Sequence, residues 1–156
     1  MSIKKRVKVA EQDPKVRATN FEEVCLGYTE DEVVEEATRC LNCKKPMCVT
    51  KCPVAIDIPG FIQHVKKREF VDAVKVIAKY SALPAVCGRV CPQETQCESK
   101  CILGIKGDAI AIGKLERFVG DYSRENNVDI SETKPKNGKK VAVIRSEEHT
   151  SELQSQ

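Results

Sequence analysis

Nine cysteines in a chain of 156 residues constrain the fold of this protein more than any other feature of its sequence. Eight of them form two dense runs, RCLNCKKPMCVTKCP at residues 39–53 and CGRVCPQETQCESKC at residues 87–101. The first run has the spacing C-x2-C-x4-C-x3-C-P, and the second has C-x3-C-x5-C-x3-C. Because closely spaced thiols converge on a small volume, the two runs predict loops that fold around a bound group.

Disulfide bonds are a poor explanation for these thiols. The segment MSIKKRVKVAEQDP has no apolar core, so we do not expect a secretory signal, and no apolar stretch is long enough for a transmembrane helix. The protein is therefore expected in the reducing cytoplasm, where structural disulfides are rare. An odd number of cysteines would also leave one of them unpaired.

The spacing favours an iron–sulfur cluster over zinc. The first run is close to the bacterial ferredoxin pattern C-x2-C-x2-C-x3-C-P. Structural zinc sites usually present two close pairs of ligands, whereas only one C-x2-C pair occurs here. A zinc-binding interaction module remains the alternative from another class. A catalytic thiol is disfavoured because no histidine base accompanies the cysteines, and Cys25, outside both runs, is interpreted as a small apolar residue.

Composition indicates a small core that needs support. Hydrophobic residues make up 41% of the chain, but aromatics are only 4% and tryptophan is absent. A bound cluster would supply the missing stabilisation, since metal binding is coupled to folding. The net charge of +3 arises from 26 basic and 23 acidic residues, which we interpret as interleaved everywhere except in KKRVK near the start. This balance argues against nucleic acid as a partner, and KKRVK is interpreted as part of a solvated arm.

The remaining sequence predicts a helical domain between two irregular segments. Residues 1–26 are predicted to be an extended arm in which Asp13-Pro14 prevents a helix. A capping box of Thr29 and Glu32 opens a helix that runs to Cys40. Two more helices are predicted between Asp57 and Tyr80, and a fourth carries an apolar stripe. The stripe comprises Leu115, Phe118, Val119 and Tyr122.

Three segments resemble the N-terminal iron–sulfur domain of the NADPH-dependent glutamate synthase small-subunit family. They are EQDPKVRATNFEEVCLGYTEDEVVEEATRCLNCKKPMC, CPVAIDIPGFI and CGRVCPQETQCESKCILGIKGDAIAIGKLERF. Dihydropyrimidine dehydrogenase and the large subunit of the bifurcating ferredoxin–NADP transhydrogenase carry the same domain. The resemblance spans residues 8–144. It implies a mostly α, α-helical ferredoxin-like domain, assigned here to residues 27–125, with two [4Fe-4S] clusters.

The resemblance also implies a crossed set of ligands. One cluster would be held by four cysteines: Cys40, Cys43, Cys48 and Cys101. The other would be held by three cysteines and a carboxylate: Cys52, Cys91, Cys97 and Glu116. Cys87 would then be a non-ligand inside the second run. From the residues alone, each run would instead hold one cluster with its own four cysteines, and Glu116 would be a solvated side chain.

The C-terminal part is predicted to leave this domain. Residues 126–138 are polar and turn-rich, as in a linker, and KKVAVI at residues 139–144 predicts a buried strand. In the family this strand opens the FAD-binding domain and leads into a glycine-rich loop. Residues 145–156, RSEEHTSELQSQ, contain no glycine and resemble a translated sequencing-library adapter. We therefore expect a chain truncated at the start of the FAD-binding domain, with a non-native tail.

The function implied by the resemblance is electron transfer. In the parent protein, NADPH would reduce FAD, and the two clusters would carry electrons to a flavin-containing large subunit or domain of glutamate synthase type. The fragment has no residues for FAD or NADPH and is not expected to be catalytic alone. A subunit of a ferredoxin–NADP transhydrogenase or of a sulfide dehydrogenase is the alternative. The sequence leaves the oligomeric state open.

Overall fold

The computed structural model describes residues 5–130 and Gly138. The predicted strand at 139–144, the tail at 145–156 and most of the predicted linker lie outside these residues. The strands are β1 (Ala10–Glu11) and β2 (Cys25–Gly27). The helices are α1 (Pro14–Arg17), α2 (Glu30–Thr38), α3 (Met47–Thr50), α4 (Ile58–Lys66), α5 (Phe70–Ala78), α6 (Pro84–Val90) and α7 (Ile112–Glu125), with 3-10 turns at Glu98–Lys100 and Ile102–Ile105. The predicted mostly α fold is confirmed, and none of the helices described is long and apolar enough to cross a bilayer.

Two helix starts follow from capping residues that the sequence identified. The Thr29 hydroxyl accepts a hydrogen bond from the Glu32 backbone N–H at 3.3 Å, and Glu32 accepts one from the Thr29 N–H at 2.8 Å. Asp57 caps α4 by accepting from the Gly60 N–H at 3.0 Å. α2 ends at Thr38, so Cys40 lies just beyond the helix rather than within it.

The core lies between α2, α4, α5 and α7. α4 packs against α2 and α5, and α7 contacts all three. Apolar side chains from these helices are fully buried at helical spacing, as the sequence pattern predicts. The largest of them are Phe61, Ile62, Ile77, Leu115, Val33, Val65 and Val119. A small aromatic cluster closes one end, where the Phe70 ring lies 5.2 Å from Phe118 and 5.1 Å from Tyr122.

The sequence predicted a loop for the whole second cysteine run, but the run begins in a helix. Cys87 lies within α6, which starts at Pro84 and packs closely along α7. Two glycines allow this approach. A Cβ atom on Gly88 would lie 2.6 Å from the backbone of Arg117, and one on Gly120 would lie 2.4 Å from the Ala85 nitrogen. The short α6 was missed because its propensity is weak and its packing against α7 is not visible in the sequence.

The N-terminal segment is neither extended throughout nor simply solvated. Asp13 caps the one-turn helix α1 instead of preventing it, and β1 pairs antiparallel with β2. The Arg6 guanidinium forms an ion pair with the buried Glu98 at 2.7 Å. The backbone of Val7 is held by Glu36 and by the Tyr28 hydroxyl, at 2.9 and 2.7 Å. Arg6 and Val7 are therefore fastened to the helical domain.

Candidate metal centre

Four cysteines from both runs line one cavity, here called site 1. The four are Cys40, Cys43, Cys48 and Cys101. The cavity has a volume of about 420 Å³, within the roughly 300–1,000 Å³ typical of pockets for cofactors and small ligands. α4 contributes Ile58 and Ile62 to its wall, so the floor of site 1 is the hydrophobic core itself.

The thiols of site 1 affect one another electrostatically. The pKa of Cys48 is raised to about 11, mainly by burial, with smaller contributions from Cys101 and Cys40, while the backbone N–H of Val49 opposes the shift. Burial also raises the pKa of Cys40, with smaller contributions from Cys101 and Cys43, while the backbone N–H of Asn42 opposes the shift. The Ile110 N–H donates to the Cys101 sulfur at 3.5 Å. Cys40 and Cys48 therefore favour the protonated thiol when no cation is present, and backbone N–H groups already point at the sulfurs of Cys40, Cys48 and Cys101.

A second group, here called site 2, forms where α6 meets α7. Cys52, Cys87, Cys91, Cys97 and Glu116 interact electrostatically there, and the name site 2 is used for Cys52, Cys91, Cys97 and Glu116. The pKa of Cys97 is raised to about 12, mainly by burial and then by the Glu98 carboxylate, with smaller contributions from Cys52 and Glu116, while the backbone N–H of Glu98 opposes the shift. The pKa of Cys91 is raised by burial, then by Cys87, Glu116 and Cys52. Cys52 of the first run therefore lies with the second run, and Cys101 of the second lies with the first.

Glu116 is a buried carboxylate with an unsatisfied atom. Its side chain is only 8% exposed, and Oε1 is buried with no hydrogen-bond partner among the residues that the structure describes. Burial raises the pKa of Glu116 to about 7. Buried polar atoms are nearly always hydrogen-bonded, because leaving one unsatisfied is costly. An unpaired carboxylate oxygen near the thiols of Cys91 and Cys97 therefore fits a metal ligand better than a structural role.

Two other buried glutamates show the contrast. Glu36 accepts hydrogen bonds from the Ala111 N–H at 2.8 Å and from Arg39 at 2.5 Å. Glu98 accepts from Arg6 and from the Gly113 N–H, at 2.7 and 3.1 Å. Both glutamates therefore hold the segment that leads into α7. Each also lies near a cysteine in the sequence. Neither could be identified from the sequence, since nothing in it distinguishes them from surface carboxylates.

Cys87 and Cys25 occupy different surroundings. The Cys87 thiol lies beside Cys91 and 3.9 Å from the Ser81 hydroxyl, so it adjoins site 2 from within α6. Cys25 is half-buried on β2. All nine cysteines are free thiols.

The sulfur spacing differs from that of a single-ion site. Sulfur atoms around one tetrahedral zinc would lie about 3.8 Å apart, given a Zn–S bond of about 2.3 Å. In the described part of the chain, which contains every cysteine, no three thiols lie within 4.8 Å of one another. The group that does meet this distance is His64, Glu69 and Asp72, on the surface of α4 and α5, where His64 already pairs with Glu69 at 2.8 Å.

Comparison with known proteins agrees with this chemistry. Residues 17–128 match the model of a family described as dihydropyrimidine dehydrogenase domain II, 4Fe-4S cluster. The chain belongs to this family. It is thus an iron–sulfur domain, as the resemblance in the sequence indicated.

The similar proteins are oxidoreductase subunits. The chain is 36% identical over 141 residues to the glutamate synthase [NADPH] small chain of Escherichia coli K12 and 35% identical over 145 residues to that of Halomonas elongata. It is 37% identical over 124 residues to the NAD-dependent dihydropyrimidine dehydrogenase subunit PreT of E. coli K12. These alignments cover 89%, 88% and 80% of this chain. They cover only 30% of each relative.

Proposed function

We propose that the chain is an electron-transfer domain that holds two [4Fe-4S] clusters with crossed ligands. Site 1 would use Cys40, Cys43, Cys48 and Cys101. Site 2 would use Cys52, Cys91, Cys97 and Glu116. A [4Fe-4S] cluster supplies one-electron redox chemistry, and the protein contributes ligands, hydrogen bonds and control of solvent access.

The observation that carries the proposal is the exchange of cysteines between the two runs. Cys101 lies with the first run around one cavity, and Cys52 lies with Cys91 and Cys97 of the second. Such crossing ties the two loops together, so that assembly of either centre depends on the fold of the whole domain. Two separate zinc sites, each held by one run, would not need this crossing.

The burial of Glu116 supports its proposed role as a ligand in site 2. A carboxylate with an unsatisfied oxygen carries a cost that coordination to iron would remove. Glu116 lies on α7, a rigid element fixed by its packing against α6 and α5, so its position does not depend on a flexible loop. Cys87 would remain a neighbour of Cys91 and not a ligand.

In a longer parent, we propose that this domain passes electrons between FAD reduced by NADPH and a flavin-containing large subunit of glutamate synthase type, in the cytoplasm. The support is the similarity to glutamate synthase small chains. A parent of dihydropyrimidine dehydrogenase type is the second candidate, since identity to its PreT subunit is equally high. In either case, the described residues would act as a carrier of electrons and not as a catalyst.

The deciding experiment is a determination of iron, acid-labile sulfide and zinc per chain after anaerobic reconstitution. We expect about eight irons and eight sulfides, the content of two cubane clusters. Replacing Cys40 and Cys91 together should abolish both clusters. Zinc without sulfide would contradict the proposal and support the zinc-binding alternative, while four irons would reduce it to a single centre.

A further inference from the structure

The surface around site 1 is unusually apolar for a surface that faces solvent. Four large apolar side chains border the cavity and remain mostly exposed. They are Leu41 (59%), Met47 (55%), Ile102 (54%) and Ile105 (78%). Scattered exposed apolar residues need no explanation, but a group gathered around one cavity marks a contact surface.

The two cysteine-bearing segments that border site 1 carry positive charge and no negative charge. Five exposed lysines lie on them, namely Lys44, Lys45, Lys51, Lys100 and Lys106, and Lys45 and Lys100 line the cavity. Residues 40–56 and 99–107 contain no aspartate or glutamate. The expectation that basic and acidic residues interleave outside KKRVK is therefore wrong for these segments. Within the described chain, none of the five lysines forms an ion pair.

We infer that this surface, the basic rim, is the docking site for a redox protein with an acidic contact face around an apolar centre. The inference rests on the proposed function, because it takes site 1 as a centre that exchanges electrons. An apolar middle with a charged periphery is the usual anatomy of a protein interface. Unpaired lysines would steer an acidic partner and set its orientation.

The charge of the basic rim argues against two other occupants. A second copy of the chain in a symmetric dimer would bring lysines against lysines, which is repulsive. Single-stranded nucleic acid is usually bound on aromatic side chains that stack with bases, and the residues bordering the cavity include none. The rim also borders the half-buried thiols of site 1, where a partner's cofactor would come closest to them.

The test is a binding titration of the reconstituted full chain with two small redox proteins. Flavodoxin serves as the acidic probe, and cytochrome c serves as the basic probe. We expect flavodoxin to bind more tightly, with an affinity that falls as salt is raised from low to physiological ionic strength. Tighter binding of cytochrome c, or no effect of salt on flavodoxin binding, would overturn the inference.

Matched variants locate the binding surface. The double change Lys45→Glu and Lys106→Glu should weaken flavodoxin binding at low salt by about tenfold or more, through loss of electrostatic steering. Lys75→Glu with Lys79→Glu makes the same change in charge on α5 and at the residue just after it, and should have little effect. Equal weakening by both pairs would show a general charge effect and contradict a defined rim.

The apolar part of the rim is tested separately. Ile105→Ser removes an exposed side chain that borders site 1, and it should weaken flavodoxin binding several-fold at any salt concentration. Phe21→Ser removes a fully exposed aromatic ring elsewhere and should leave binding unchanged. Tighter binding of an RNA oligonucleotide than of flavodoxin would identify the rim as a nucleic-acid surface instead. Iron and sulfide are measured on the same samples, so that failure of the proposed clusters is distinguished from failure of the docking surface.

Discussion

The two sites of this domain are built in different ways from similar cysteine runs. Site 1 is a cavity at the surface, with four thiols held largely by loops and an apolar wall. Site 2 lies where α6 and α7 pack together, and a buried carboxylate accompanies three thiols. Loop spacing therefore determines most of site 1, whereas helix packing determines site 2.

This difference has electronic consequences for the proposed clusters. Potentials of iron–sulfur centres depend on ligand type, hydrogen bonds to sulfur, net charge and exposure to solvent. Both sites have backbone donors aimed at sulfur, and site 1 also has a positively charged surface nearby. In the proposed ligand set, site 2 would have an oxygen ligand in place of one thiolate. We expect the two centres to differ in potential and to be separable by spectroscopy.

The largest expected effect comes from removing a ligand that crosses between the runs. Cys101→Ser should eliminate the cluster of site 1, lowering iron from about eight to about four per chain. If the ligands are crossed, the spectrum that remains should match that of Cys40→Ser. If each run holds its own cluster, the spectrum should match that of Cys91→Ser instead. Electron paramagnetic resonance of the reduced variants makes this comparison.

Cys87→Ser is the matched control for that experiment. Cys87 lies in the second run beside Cys91, but it would not be a ligand in the crossed arrangement. We expect the variant to retain about eight irons and both spectra. Loss of one spectrum would make Cys87 a ligand and return Glu116 to a structural role.

Much of the helical framework could be predicted from the sequence because its signals are local. The caps at Thr29 and Asp57 and the apolar stripes depend on residues three or four positions apart. α6 could not be predicted in this way, since its position depends on glycines that permit contact with α7. The fastening of Arg6 and Val7 to buried glutamates is likewise a long-range effect.

The candidate site shows the same limit. Spacing predicted a metal centre, but it did not predict that Cys52 and Cys101 exchange runs; that arrangement came from resemblance to a family. Glu36, Glu98 and Glu116 look alike in the sequence. Only the fold distinguishes two glutamates with several partners from one with an unsatisfied oxygen.

A smaller effect is expected in the metal-free chain, where the free energy of unfolding should depend on pH over different ranges for the two sites. Burial raises the pKa of Glu116 to about 7 from an ordinary value near 4.5. Between these values the folded state binds more protons than the unfolded state, so the free energy of unfolding should fall as pH rises, by about 3 kcal/mol at most. The raised pKa values at site 1 belong to thiols, whose effect begins only near pH 9.

Chemical denaturation at several pH values between 4.5 and 7 measures this effect. Glu116→Gln should remove most of the decline, because the amide does not titrate. Glu35→Gln, at an exposed position of α2, should leave the decline unchanged. A decline that is the same in both variants would mean that Glu116 does not titrate in this range.

The smallest expected effect concerns the contact on which site 2 depends. Gly120→Ala places a Cβ atom 2.4 Å from the Ala85 nitrogen and 2.8 Å from its Cα, both backbone atoms that cannot rotate away. Overpacking of this kind costs about 1–3 kcal/mol, partly offset by about 1 kcal/mol from the better helix propensity of alanine. We therefore expect a net loss of about 1 kcal/mol in the free energy of unfolding, measured by denaturation.

The consequence for the clusters should be larger at site 2 than at site 1. A shift of α6 away from α7 moves Cys91, at the end of α6, relative to Glu116 on α7. The spectrum of site 2 should therefore broaden or weaken, while that of site 1 is retained. Gly104→Ala is the matched control near site 1, because its Cβ would lie 3.5 Å from the nearest atom, an ordinary contact. If Gly120→Ala disturbed both spectra equally, helix packing would support the two sites alike, and the contrast between a loop-built and a helix-built centre would be wrong.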